Sequence, residues 1–591
     1  VDIYPLARQP CHQPEAGLVL PDDRHDGNRH AETGQRSGDV AGNPTLRSGY
    51  HRWVRGPRNH LAGKTRLDVP MEGAHAHNGS QRRCLMVVKC RRSLPAPSIA
   101  LPRPRTTPLN KPLNDLAVEY WEYVMKTEPT DALMLGDHRY DDRFEDLSRG
   151  AEDADIAARR DFAKRAKAVD PGTLTTDEKI TREVLIFLTE AQADLQEMRP
   201  AEWNVSHTIG LQAMMPVVVP QLTLLEPAHA EAMIPKLRGL ATAFEDAAAR
   251  LREGVAGGMV PMRSTAEKSA AQVDALLALP AAGHPLGMFR APQGWSGEAT
   301  WRAEIEKTLI ASVFPALKMW RDTVADHVVP ASRSDDQPGL PYLKNGEESY
   351  RRAIALYTTT DRSAASIHQI GLDQIAKLGD EYRTLGAEVL GTSNLDEIFT
   401  RLRDDPALHF SDGPSIIAAS ETAMAKAKAA MGGWFGRLPK ADCVVAETPT
   451  GPTAFYFRPA ADGSRPGTFF VNTADPTRWG RYEIESMAYH EGIPGHHLQL
   501  AIAGELDNIP EFRKRAFIAA YGEGWGLYTE RLADEMGLYS GPLERIGMLS
   551  ADSMRAGRLV VDTGLHAMGW TRQKAIDYFR NNSPMTQTTI E

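Results

Sequence analysis

From Leu113 onward, apolar residues recur at spacings of three and four over long stretches: Leu113–Met125, Asp153–Ala168, Thr176–Met198, Ala228–Val255, Ser264–Leu279 and Thr300–His327. That period puts one apolar stripe on each helix, and a stripe is stable only when buried against another element. Their Ala, Leu, Glu and Arg content favours helix on intrinsic grounds as well. Further helical patterns cover Glu347–Thr358, Ala364–Glu388, Asn394–Arg403 and Pro414–Phe435, with Gly, Pro and Asp in the loops between. No fixed-period repeat is present, which disfavours a helical solenoid. The expectation is a mainly α, large multi-helix fold.

With 591 residues, 42% of them hydrophobic, the chain can fill one large core or two to four domains. No stretch approaches the roughly 18 uninterrupted apolar residues of a membrane-spanning helix. A net charge of -9 gives no overall field for holding nucleic acid. The average hides a split: residues 1–110 carry 17 Lys and Arg against 9 Asp and Glu, and the rest carries 51 against 68. The first segment also holds seven His and Cys11, Cys84 and Cys90, shows no sustained apolar period, and is expected to be disordered. Because the chain begins with Val, this segment reads most simply as an upstream stretch translated from a misplaced start. Gly56–Thr65 ends in Gly-Lys-Thr but has Arg58 where a phosphate-binding loop needs glycine. Met86–Ala100 lacks the apolar centre of a secretory signal, and the body's single cysteine, Cys443, fits cytoplasm or periplasm equally.

Cys443–Glu447, Ala454–Arg458 and Gly467–Asn472 are short and rich in Val, Phe and Tyr, and a turn-like Ala460–Pro466 spacer joins the last two. A small antiparallel sheet is expected there, with a strand edge able to offer hydrogen bonds to an extended peptide.

Just downstream, three His and a Glu fall within eight residues, in His490-Glu491-Gly492-Ile493-Pro494-Gly495-His496-His497. Two His at i and i+4 on one helix bind zinc in the standard motif, and the Glu after the first activates the metal's water. Pro494 removes that pattern here. On an unbroken helix His490 and His497 share a side but stand about 10.5 Å apart along the axis, and His490 and His496 point to different sides. Pro494 with Gly492 and Gly495 should break the helix and return a second imidazole to the first. His496 is the preferred second ligand, and His497 is the fallback or a substrate-contacting donor.

Zinc of this kind needs a third protein ligand and an open position. Glu523, flanked by Gly522 and Gly524 in an apolar helical pattern, is the choice, because a crowded carboxylate is costly unless paired or metal-bound. Those glycines should let another helix approach closely. Glu530, seven residues on, is the competitor or a partner that orients a ligand His.

The stretch His490–Gln499 looks like the bacterial family catalogued as domain of unknown function 885, whose members resemble zinc metallopeptidases of the gluzincin type. Leu135-Gly136-Asp137 with Tyr140-Asp141-Asp142, Gly522-Glu523-Gly524-Trp525, Asp562-Thr563-Gly564-Leu565-His566 and Gly569-Trp570-Thr571 look like its other blocks. The resemblance implies a metallopeptidase-like fold from about Leu113 on, with His490, Glu491, His496 or His497, and Glu523 at the active-site positions. It also implies a leader that residues 1–110 do not show and a further helical segment past Glu591.

The resulting expectation is a helical domain over 111–440 and a catalytic subregion over 441–591, holding Zn2+ through His490, His496 and Glu523 and cleaving peptides with Glu491 as general base. His566 is assigned as the oxyanion donor, and Tyr456, His497, Arg555 and Arg558 as substrate-binding residues. The rival expectations are a catalytically silent helical binding protein with a structural metal, and a hydrolase of non-peptide amides or esters.

Overall fold

A computed structural model describes residues 110–591 apart from 449–451, 461, 462 and 464. The basic segment 1–110, except Asn110, and the middle of the Ala460–Pro466 spacer therefore lie outside the described residues.

The apolar periods become helices over nearly the expected spans: Lys111–Thr127, Arg149–Ala168, Thr176–Glu197, Pro227–Gly257 and Arg263–Leu277. Their ends follow local chemistry. Asn110 and Ser148 accept from the third backbone N–H of their helices, and Thr175 with Glu178 forms a reciprocal capping box. Gly258 ends the 31-residue helix in the left-handed region at φ 76°. The expected helix over 300–327 runs from Glu298 to Ala331 with wide turns at 309–313 and 324–328, and prolines stand just after each, at Pro315 and Pro330. Pro129–Met134 and Leu211–Val218 are helices too short for periodicity to have separated from loop.

Two large cores result. One joins residues from Leu133 to Val328 around Phe244, Leu309 and Leu317, and the other joins residues from Leu378 to Ala556 around Ile398, Tyr482 and Tyr489. The boundary expected at 440/441 is not a seam between cores. Helix Ala364–Val389 packs against Pro542–Ala567 in the most extensive helix pair among the described residues, so the helices from 364 on belong with the segment that carries the site. Among the described residues no helix is long and apolar enough to cross a membrane.

The sheet consists of β1 (Cys443–Thr448), β2 (Ala454–Phe457) and β3 (Gly467–Asn472) in the order β1-β3-β2. The expectation of an antiparallel sheet is corrected to a mixed one: β2 pairs antiparallel with β3, whereas β1 runs parallel to it. β3 is buried along all but its last residue and takes the centre. β2 occupies one edge of β3 through its antiparallel pairing, and β1 joins the other edge in parallel, from Cys443 opposite Gly467 to Thr448 opposite Asn472.

Candidate metal centre

The helix carrying His490 spans Ile484–Glu491, stops at Gly492, and resumes at His496–Gly504. A cis Ile493–Pro494 bond lies in the interruption. Both ends leave little room for a side chain: a Cβ on Gly495 would stand 1.8 Å from the His490 carbonyl oxygen, and one on Gly492 would stand 2.8 Å from the Ala488 carbonyl oxygen. Trp525 closes the interruption by donating its indole N–H to the carbonyls of Pro494 and Gly495 at 3.0 and 3.1 Å.

The break brings the His490 and His496 rings edge to face with centroids 4.7 Å apart. Ligand atoms of His490, Glu491 and His496 all lie within 4.8 Å of one another. Glu523, from helix Ala519–Glu535, places one carboxylate oxygen 3.7 Å from His490 Nε2 and the other 3.7 Å from His496 Nε2. His490, Glu491 and His496 are buried, and Glu523 is the member with solvent access.

Glu530 fixes the orientation of His490. Its Oε1 accepts from Nδ1 at 2.7 Å, which leaves Nε2 directed at Glu523 and His496. Ser486 and Arg555 complete Glu530, at 3.2 Å to Oε2 and 3.0 Å to Oε1. Arg555 Nη2 also lies 3.0 and 3.4 Å from the two ring nitrogens of His490. The close approach of this helix depends on Gly526, whose added Cβ would fall 2.4 to 2.8 Å from three atoms of the His490 ring. Of the two glycines expected to serve that purpose, Gly522 packs on Phe517 and Gly524 faces open space.

Burial pushes the Glu491 carboxyl up to about 7 and the His496 imidazole down to about 3. Burial also pulls at His490, but Glu523 and Glu530 outweigh it and hold His490 near 9. Glu523 is pushed up by burial and brought below its ordinary value by the two imidazoles.

The residues fit a cation. Both nitrogens of His496, both oxygens of Glu491 and Oε1 of Glu523 are buried without a hydrogen-bond partner. Carboxylate oxygens and an imidazole lone pair gathered without partners in a low-dielectric site are unfavourable until a positive charge meets them, and two imidazoles with a carboxylate are a zinc donor set.

Other expected site residues lie elsewhere. His497 is buried, accepts at Nδ1 from the Tyr456 hydroxyl at 2.9 Å, and has Nε2 3.1 Å from the Ala441 carbonyl. Burial pushes its imidazole down to about 4, so the neutral ring donates at Nε2 and accepts at Nδ1, and both nitrogens are used. Tyr456 is fully buried in this contact, which Gly467 admits, since a Cβ there would meet the Tyr456 hydroxyl at 2.5 Å. The pair ties β2 to the second half of the broken helix and presents nothing to a substrate. His566 stands eleven residues beyond Arg555 on the continuous helix Pro542–Ala567, about 16 Å along its axis. It accepts from the Leu340 N–H at 3.0 Å and packs on Tyr350, so the geometry removes it from the oxyanion position. Arg555 borders His490 and Glu530, and Arg558 lies about one turn further along the same helix. Ser486, Gly526 and Trp525 were missed as site residues; the Gly-x-Gly-x-Gly spacing at 522–526 was the available signal.

A sequence model of the family described as bacterial protein of unknown function (DUF885) matches residues 129–591. The chain is similar to the crystal structure of "the putative lipoprotein from Colwellia psychrerythraea", with 22% identity and a TM-score of 0.74 over 81% of this chain and 87% of that one. A second likeness is to "a putative lipoprotein of unknown function from Shewanella oneidensis", at 16% identity and a TM-score of 0.59 over 81% of this chain and 89% of that one. No curated protein matched. These likenesses establish a shared fold.

Proposed function

Since the chain belongs to the bacterial family of unknown function DUF885, whose description assigns no chemistry, we propose from the site itself that it is a zinc-dependent hydrolase cleaving peptide bonds. The observation that carries this reading is the convergence of partnerless buried lone pairs from His496, Glu523 and Glu491 beside a His490 already oriented by Glu530. His490, His496 and Glu523 would hold the ion. Zinc in such a site supplies Lewis acidity and lowers the pKa of water.

Glu491 does the proton work. A buried carboxylate raised toward neutrality accepts a proton from the attacking water and returns it to the leaving amine, which is how general bases are tuned. Arg555 balances the charge of Glu530 and so keeps the His490–Glu530 pair from accumulating negative charge. A closed structural site would need a fourth protein ligand; His497 is committed to Tyr456 and Ala441, and Glu491, the remaining donor in the cluster, is assigned here to proton transfer, so the site is read as open and catalytic. Peptides are preferred over other amides because β2 is an edge strand packed against the His490 helix, and an edge pairs naturally with extended backbone.

The test is zinc content and peptide hydrolysis for the full chain and its Glu491→Gln variant. Zinc retained with turnover abolished supports the mechanism. Undiminished turnover in Glu491→Gln, or a folded wild type that takes up no zinc at this site, refutes it.

A further inference from the structure

The Leu135–Asp142 block that stood out in the sequence plays no part in the chemistry above. It forms the short turn His138–Tyr140 and the residues around it, and it packs beside the first turn of helix Pro227–Gly257. There His138, Asp141 and His229 each bring a ligand atom within 4.8 Å of the others.

Three observations mark this cluster as more than packing. Asp141 is 4% exposed, and its Oδ1 has no hydrogen-bond partner, while Oδ2 is taken by His138 Nδ1 at 2.8 Å. His229 Nδ1 is likewise buried without a partner. The two imidazoles are stacked face to face, with centroids 3.7 Å apart and planes 5° from parallel. Two protonated rings so placed would repel, so at least one is neutral and keeps a lone pair; because the lone pairs of parallel rings do not meet at one point, binding a shared ion turns one ring out of the stack. The surroundings are acidic: Asp131, Asp141, Asp142 and Glu145 all act on Lys236, which is itself spent on the Arg143 carbonyl at 2.6 Å.

We propose that His138, Asp141 and His229 form a second metal site, structural in role and separate from the catalytic one, that takes zinc or a similar borderline divalent ion. Two imidazoles with one carboxylate favour such an ion over magnesium or calcium, which prefer all-oxygen shells. By bridging the 138–141 turn to His229, the ion fixes the start of the 31-residue helix on which the larger N-terminal core is built. Metal free energy at a site like this is folding free energy.

The experiment measures zinc per chain by elemental analysis on the full chain in a His490→Ala background, which disables the first site. Differences between variants are read rather than totals, because residues 1–109 contain seven His and three Cys. His229→Ala and, separately, Asp141→Asn should each lower zinc by about one equivalent with the far-UV circular dichroism unchanged. In the same background zinc should raise the melting temperature, and Asp141→Asn should abolish the rise. Zinc content unchanged in both variants overturns the proposal. Asp141→Asn keeps the shape of the side chain and reads the result even where His229→Ala fails to fold. The catalytic reading fails separately, when His490→Ala alone costs the wild type no zinc.

Discussion

Replacing Gly526 by Ala adds one methyl group where the structure leaves least room for it. The new Cβ would lie 2.4 Å from His490 Cε1, 2.7 Å from Nε2 and 2.8 Å from Nδ1, whereas ordinary contact begins at 3.4 Å. About 1 Å of separation must be found. His490 cannot turn away alone, because Nδ1 is held 2.7 Å from a Glu530 that is itself held by Arg555 and Ser486. Metal–nitrogen distances tolerate only about 0.2 Å, so the displacement should cost on the order of 10–100-fold in zinc affinity. The fold should survive: a glycine-to-alanine change inside a helix gains about 0.5–1 kcal/mol, set against roughly 1–3 kcal/mol for overpacking. Gly524→Ala, two residues away with nothing within 4 Å of its Cβ, is the control and should gain about 0.5–1 kcal/mol with zinc affinity unchanged. Chelator competition and urea unfolding read the two quantities. A Gly526→Ala protein that binds zinc as tightly as wild type would refute the packing argument.

Glu530→Gln keeps the shape of the side chain but removes the charge that holds His490 Nδ1–H, so zinc affinity measured by the same competition should fall by about 10–100-fold; no change would remove Glu530 from the site. Tyr456→Phe strips the donor from His497 Nδ1 and leaves a buried acceptor, which should cost about 1–3 kcal/mol in urea unfolding with zinc content unaltered; lost zinc would return His497 to the ligand set. The general base must be deprotonated, so kcat/KM should fall as pH drops. Burial places Glu491 at about 7 against an ordinary 4.5, and a bound cation pulls it back down, so the midpoint of the acid limb belongs between those values. A pH–rate profile flat across that interval would exclude Glu491 as the base.

The sequence made the helices legible because periods of three and four over many turns leave few other ways to bury an apolar stripe, and the expected Thr176–Met198 and Ala228–Val255 lie within a residue or two of the observed ends. Strand positions were equally legible at Gly467–Asn472, but their direction was not. Which strand takes the buried centre, and in which direction β1 joins it, are tertiary outcomes that alternation along one strand does not encode. At the site, the breaker residues indicated that His490 and His496 could meet. They could not indicate that His497, one residue on, would turn toward Tyr456, because that bond spans 41 residues and depends on Gly467. His566 was misplaced for a similar reason, since its neighbour Leu340 lies 226 residues away in the chain.

A zinc site built on i and i+4 histidines needs little more than one regular helix. Here His490 and His496 are six residues apart and meet only through an interruption that leaves carbonyls without helical partners, so something outside must hold the break closed. Helix Ala519–Glu535 does this with one face. Glu523, Gly526 and Glu530, spaced at three and four, supply the proposed third ligand, the gap that admits His490 and the carboxylate that orients its ring. Trp525 and Thr529, four residues apart, bond the carbonyls of Pro494 and Gly495 and that of Tyr489. The broken helix and its clamp are therefore one unit, and because both are needed to bring two imidazoles together, the geometry of the proposed metal site is set by the contact between two helices rather than by the pitch of either.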